Sequence, residues 1–241
     1  MHAYNWNWAV LVSEPYVGWL LQGLQVTVML ALASWTIALV LGALIGLART
    51  LPSAPLRWLA TAYVDVFRNI PVLVQMFLWF FVLPELVPQE VGRWLKRDLP
   101  YPEFYSAMMC LGLYAASRVA EQVRAGITSV PAGLAAAARA SGLSLAQTYR
   151  YVLLPLGFRI IVPPLTSEFL GVFKNTSIAL TIGVMEITAS SRQIESYTFH
   201  GYEAFAAATA LYLSISFLLL FLTRRLEARA RIPGWIARGN G

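Results

Sequence analysis

The sequence predicts an all-α polytopic membrane protein with about five transmembrane helices in one domain, residues 1–241. Three observations predict it. The chain is 58% hydrophobic and only 12% charged, against about 25% charged for soluble domains. Ala204–Thr223 is a run of 20 uncharged residues, long enough to cross a bilayer. The arginines and lysines also sort unevenly between successive loops, as basic residues do in membrane proteins. The same composition narrows the chemistry. A lone cysteine, Cys110, excludes an internal disulfide framework and reads as packing. His2 and His200 lack metal-ligand spacing, so no metal site is expected. The net charge of +6 reports topology rather than nucleic-acid binding.

Residues 1–16 carry Tyr4, Trp6, Trp8 and Tyr16. They suit either a segment at headgroup level or a mobile amphipathic leader. They do not form a secretory signal, because Glu14 precedes the first apolar run and no basic segment leads it. Pro15–Ala48 is uncharged, which places span 1 at about 19–48. Gly42 and Gly46 form a small-xxx-small pair suited to close helix approach. Arg49, Pro52, Pro55 and Arg57 mark a short loop. Span 2 is expected at about 60–83, with Asp65, Arg68, Asn69 and Pro71 in its first half. Asp65 and Arg68 are spaced to pair on one helix face. They sit either at the interface or toward a polar interior.

Residues 84–103 mix both charges and read as an aqueous loop with one short amphipathic helix. Span 3, about 104–125, has an uncharged core that stops at Ser117, and its helix continues through Arg118, Glu121 and Arg124. Span 4, about 157–177, contains Pro163, Pro164, Glu168 and Lys174. Paired prolines free backbone groups that lipid cannot satisfy, so this span should line protein or water. Residues 178–203 read as a loop with a short helix, and span 5 is 204–223. Arg224, Arg225, Arg229, Arg231 and Arg238 follow it. The positive-inside rule puts that tail and the 130–155 loop in the cytoplasm, and the amino terminus outside.

Ala136–Pro155 stands apart, because it is polar in an apolar chain. Ala136, Ala137 and Ala138 belong to a helix-favouring run around Arg139. Gly142 is the expected left-handed stop. Ser144 with Gln147 three residues on is a capping box that starts a second helix. Pro155 should end or kink it. On these residues alone the device either couples to a partner or rests on lipid. The chain also lacks a phosphate-binding Gly-rich loop, a row of intramembrane carboxylates and histidines, and a Ser/His/Asp or zinc constellation. A structured polar turn without an energy-yielding site suggests a membrane subunit driven by another protein.

The spacing A-A-A (136–138), Gly142, Val152, then Leu154 and Pro155 resembles the EAA loop of ABC importer permeases. FRNIPVLVQ (67–75), EQVRAGITSVPAG (121–133), VPP (162–164), KNTS (174–177) and WNW (6–8) extend the likeness, in order, to the polar amino acid permeases. The likeness is closest to those for glutamate and aspartate. One departure stands out, since the motif's first residue is Glu and here it is Ala136. The resemblance implies a type I ABC importer permease fold in a bacterial inner (plasma) membrane. Ala136, Ala137, Ala138, Arg139, Gly142, Leu154 and Pro155 would then couple to two copies of an ATPase subunit. It further implies pairing with itself or with a homologous permease, and an external amino-acid-binding protein that delivers substrate. The chain itself would be no enzyme and hold no cofactor, since ATP and magnesium belong to the ATPase. Lys174, Asn175, Thr176, Arg68 and Glu168 are the expected substrate contacts. A lysine beside the neutral Asn175 favours an anionic amino acid; the alternative is that Lys174 snorkels to the interface. Glutamine or another polar amino acid is the alternative substrate. A secondary transporter, a membrane enzyme and an accessory subunit are the rival classes.

Overall fold

The computed structural model describes residues 4–230, the side chains of 226–230 excepted, and all of its regular elements are helical. His2, Arg231 and Arg238 lie outside the described residues. In chain order the helices are α1 (Tyr16–Ala48), α2 (Ala54–Asn69), α3 (Val72–Leu86), α4 (Gln89–Arg93, running on through Trp94–Asp98), α5 (Pro102–Thr128), α6 (Ala132–Ala140), α7 (Leu145–Ile182), α8 (Ile187–Thr198) and α9 (Gly201–Ala230).

Among the described residues, α1, α7 and Gly201–Arg225 of α9 are each long and apolar enough to cross a membrane alone. α2 and α3 qualify only as a pair. α5 is as long as a span but carries Glu103, Arg118, Glu121 and Arg124. Its position explains how it tolerates them. Ala107, Cys110, Leu111, Ala115, Ala116, Val119 and Ala120 are all buried, so the other helices surround α5 rather than lipid. Cys110 is part of this packing, as its surroundings in the sequence suggest.

α1 lies along α5 over most of its length. The small-xxx-small pair makes this possible. A Cβ on Gly42 would stand 2.6 Å from Val119 Cβ and 2.8 Å from the Ala116 carbonyl oxygen. One on Gly46 would stand 2.6 Å from the Ala120 carbonyl oxygen. Only hydrogen side chains let the two backbones approach this far.

Where the sequence suggests an unbroken span over 60–83, the chain bends by 102° between α2 and α3. Ile70 precedes Pro71, and the proline ring forces it out of the helical region, to φ −95° and ψ 128°. Gln75 then closes the break. Its buried side chain donates to the carbonyl oxygens of Phe67 and Ile70, at 2.8 Å each, which α2 leaves without helical partners.

Pro84, Pro100 and Pro155 are absorbed by wider turns. The N–H groups of Leu83, Leu99 and Leu154 each donate to the carbonyl five residues back, and a proline follows each. A proline ring presses on the carbonyl four residues before it; the extra residue in the turn moves that carbonyl aside. α7 therefore runs through Pro155 and on through Pro163 and Pro164, where the sequence suggested an end or kink at Pro155.

The leading aromatic segment is tied down. The Tyr4 hydroxyl donates to Glu203 Oε2 at 2.5 Å, and the Asn7 N–H donates to Glu203 Oε1 at 2.7 Å. Burial and the adjacent Glu203 push the Tyr4 phenol up to about 12, so it remains a donor at physiological pH. Trp6 stacks on Trp8, with ring centroids 5.7 Å apart.

The α1–α5 contact yields a test. Gly42→Leu should destabilise the purified protein by about 1–3 kcal/mol or more through overpacking. Gly133→Ala, where a Cβ meets nothing within 4 Å on α6, should stabilise by about 0.5–1 kcal/mol. Thermal unfolding in detergent compares them; equal transitions for Gly42→Leu and the parent would remove the close contact.

Candidate functional site

The turn between α6 and α7 is built from local chemistry. Gly142 has φ +91°, the left-handed conformation expected of it. Its N–H donates to the Arg139 carbonyl at 3.0 Å, and the Leu143 N–H donates to the Ala138 carbonyl at 3.2 Å. These two bonds close the end of α6 as a Schellman motif. Ser144 Oγ accepts from the Gln147 N–H, and Gln147 Oε1 accepts from the Ser144 N–H at 2.8 Å, so the capping box is complete. The Tyr149 hydroxyl donates to the Thr50 carbonyl at 2.7 Å and ties the start of α7 to the loop after α1.

The turn is rigid but uncovered. None of the nine residues of α6 is buried. Ala136, Ala137, Arg139, Gly142, Leu154 and Pro155 are exposed and Ala138 is half-buried. Leu134 and Leu145 are 41% and 38% exposed, which gives the turn an apolar outer edge. Arg150 stacks over the Tyr151 ring at 5.6 Å.

A second set of polar residues lies on α5. Arg118 Nε meets Glu168 Oε1 of α7 at 2.5 Å, and Gln122 Nε2 stands 3.5 Å from the other carboxylate oxygen. Glu121 pairs with Arg124 on its own helix and with Arg49 at the end of α1. Arg68 Nη1 comes within 3.9 Å of the same Glu121 carboxylate. The suggested Asp65–Arg68 pair is therefore replaced, with Arg68 turning toward Glu121 and the Asp65 carbonyl accepting from Asn69.

The third set surrounds Lys174. This exposed lysine lines a cleft of about 450 Å³ together with Ser177, Thr188, Thr209 and Tyr212. No ion pair of Lys174 occurs among the described residues. Beneath it, the Tyr212 hydroxyl donates to Glu186 Oε2 at 2.5 Å. Glu186 is fully buried, and its other oxygen caps α8 by accepting from the Ala189 N–H at 2.9 Å. Asn175 is half-buried. Thr176 is fully buried, and its hydroxyl donates to the Phe173 carbonyl at 2.7 Å.

The expected substrate residues thus divide among three places. Lys174 faces the cleft, Glu168 is held by Arg118, and Arg68 stands beside Glu121. Sequence reasoning missed Glu186 and Tyr212. An acidic residue just ahead of the helical run ITASSRQIESYT was the available signal for the first. Nothing in an apolar run marks the second.

The Arg118–Glu168 contact can be tested by a double-mutant cycle. Glu168 is 9% exposed and Arg118 47%. Arg118→Met leaves a buried carboxylate unpaired and should cost about 1–3 kcal/mol. Adding Glu168→Gln should recover most of that loss. Additive effects in thermal unfolding would show that the two do not interact.

Comparison with known proteins agrees with this architecture. Residues 38–232 match the model of the family described as binding-protein-dependent transport system inner membrane component. The glutamate/aspartate import permease protein GltJ of Escherichia coli K12 is 43% identical over 238 residues, covering 95% of this chain and 97% of its own. The glutamine transport system permease protein GlnP of the same strain is 32% identical, covering 95% and 99%. The glutamate/aspartate import permease protein GltK of E. coli O6:H1 is 32% identical over 93% of this chain and 99% of its own. Among solved structures, a crystal structure of an amino acid ABC transporter with histidines superposes with a TM-score of 0.82 at 27% identity, covering 94% of this chain and all of the other. An inward-facing MetNI methionine ABC transporter shares the fold, with a TM-score of 0.73 at 22% identity. An all-helical chain with helices apolar enough to span, an exposed capped turn and this family match identify one thing: the chain belongs to the inner membrane components of binding-protein-dependent transport systems, the permeases of ABC importers.

Proposed function

We propose that the chain is the permease subunit of an ATP-driven importer of acidic amino acids, glutamate and aspartate. It works with two copies of a separate ATPase subunit, with itself or a homologous permease, and with an external binding protein. In this reading the chain crosses the membrane five times, with the amino terminus outside and the α6–α7 turn in the cytoplasm, as the distribution of basic residues suggests. ATP and magnesium are bound by the ATPase, and this chain supplies no cofactor site.

One observation carries the reading: α7 is a single helix of 38 residues, Leu145–Ile182, that begins at the capped turn and contains Lys174. A push on the turn is thereby delivered to the cleft without an intervening hinge loop. The exposed surface of α6 and Leu145 is the face offered to the ATPase. Closure of the ATPases tilts α7 and alternates the access of the cleft. Ala136 replaces the motif's glutamate, which leaves Arg139 and Arg150 to make the charged contacts with the partner. The lone charge of Lys174 suits a substrate carboxylate, and the neighbouring Asn175 adds no repulsion. The 43% identical glutamate/aspartate import permease supports the same substrate class. Glutamine is the second reading, favoured by the 32% identical glutamine permease.

Reconstitution with the ATPase and the binding protein in proteoliposomes tests both parts. Lys174→Met should lower ATP-driven aspartate uptake by about tenfold or more, the equivalent of one charge-assisted contact. Unchanged aspartate uptake would take Lys174 out of the site. Equal competition by glutamine, with no effect of the lysine charge, would favour the second reading. Gly142→Val places a β-branched residue at φ +91° and should cost about 1–2 kcal/mol at the turn. Uptake and ATPase co-purification should both fall. Retention of both would disconnect the turn from coupling.

A further inference from the structure

A groove of about 760 Å³ opens between α1, α7 and α9, on the half of the bundle nearest the α6–α7 turn. Trp35 and Leu39 of α1, Val162 and Phe169 of α7, and Leu219 and Leu222 of α9 line it. Trp35 and Phe169 close its inner end, with ring centroids 5.3 Å apart. Its other end is polar. Arg159 and Thr223 stand there, and Arg224 and Arg225 follow Thr223 along α9. The direction of the groove follows from the chain. α1 and α9 run toward the turn and α7 runs away from it, so Leu39, Arg159 and Thr223 are the members nearest the turn.

Among the described residues, the charged side chain that lines this mouth is Arg159. Arg159 is exposed, and it makes no ion pair among the described residues. Glu121 and Glu168 are engaged elsewhere, Glu121 by Arg49 and Arg124, and Glu168 by Arg118. Arg225 stacks on the Phe221 ring at 4.4 Å. A guanidinium a few residues inside a membrane helix is costly unless a partner meets it. Its fork matches a phosphodiester through two parallel N–H···O bonds. The apolar groove directly beside it matches an acyl chain.

The geometry points to a binding site for an anionic phospholipid, with its phosphate on Arg159 and one acyl chain in the groove up to Trp35 and Phe169. Charge complementarity selects the occupant. A net-negative headgroup pairs with Arg159 at the mouth, as headgroups do in basic pockets between membrane helices. A neutral apolar partner would leave Arg159 unpaired.

Native mass spectrometry of the purified permease–ATPase complex tests this, after exchange into mixed micelles with equal phosphatidylglycerol and phosphatidylcholine. The parent should retain phosphatidylglycerol about tenfold over phosphatidylcholine, the effect of one charge-assisted contact. Arg159→Gln should lose that preference, Arg159→Lys should keep part of it, and Leu219→Trp, which fills the groove, should lose the lipid altogether. Equal retention of the two lipids by the parent, or an unchanged preference in Arg159→Gln, would overturn the site. A disulfide between Phe158→Cys and a cysteine on a second permease chain would also overturn it, by showing that protein covers the groove.

Discussion

A charge inside a membrane bundle must meet an opposite charge or a hydrogen bond, and the arrangement of helices around α5 depends on that constraint. α5 carries Arg118, Glu121 and Arg124 within two turns. Arg124 pairs with Glu121 on α5 itself, and the other two draw further elements close. Arg118 reaches Glu168 on α7, and Glu121 gathers Arg49 from the end of α1 and Arg68 from the last turn of α2. A helix so charged is stable only where others enclose it. The glycines at 42 and 46 let α1 complete that enclosure at backbone distance.

The same demand applies to the backbone. Lipid supplies no hydrogen bonds, so every break in a helix has to be mended from within the protein. Pro71 breaks the chain, and Gln75 mends it with two bonds to the freed carbonyls. Pro84, Pro100 and Pro155 each follow a wide turn in which the preceding residue bonds five positions back. The last of these has a functional consequence. Because the helix widens and does not stop, the capped turn and Lys174 lie on one continuous helix.

The groove at Arg159 and the capped α6–α7 turn lie at the same end of the bundle. A headgroup on Arg159 would sit close to where α7 is driven, and Arg159 is four residues beyond Pro155. An anionic lipid there neutralises the mouth between α7 and α9 and adds to the packing of two helices that otherwise leave this groove open.

The α6–α7 turn was fully legible before the fold was known, and so was the close approach at Gly42 and Gly46. A left-handed glycine, a capping box and a small-xxx-small pair act within a few residues, where backbone chemistry leaves few alternatives. Helix positions along most of the chain followed from apolar runs for the same reason. The 102° bend was signalled by Pro71, yet its closure by Gln75 depended on where the next helix folded back. The pairing of Arg118 with Glu168 joins residues 50 apart, and that of Arg49 with Glu121 joins residues 72 apart. No local rule selects such partners, since Asp65 was as well spaced for Arg68 as any. Glu186 and Tyr212 became neighbours only when α8 and α9 packed beneath Lys174. Local chain chemistry therefore specified the elements and the shape of the turn, because those depend on neighbouring residues. Packing decided which charges meet and which cleft Lys174 faces, because those depend on distances that only the folded bundle establishes.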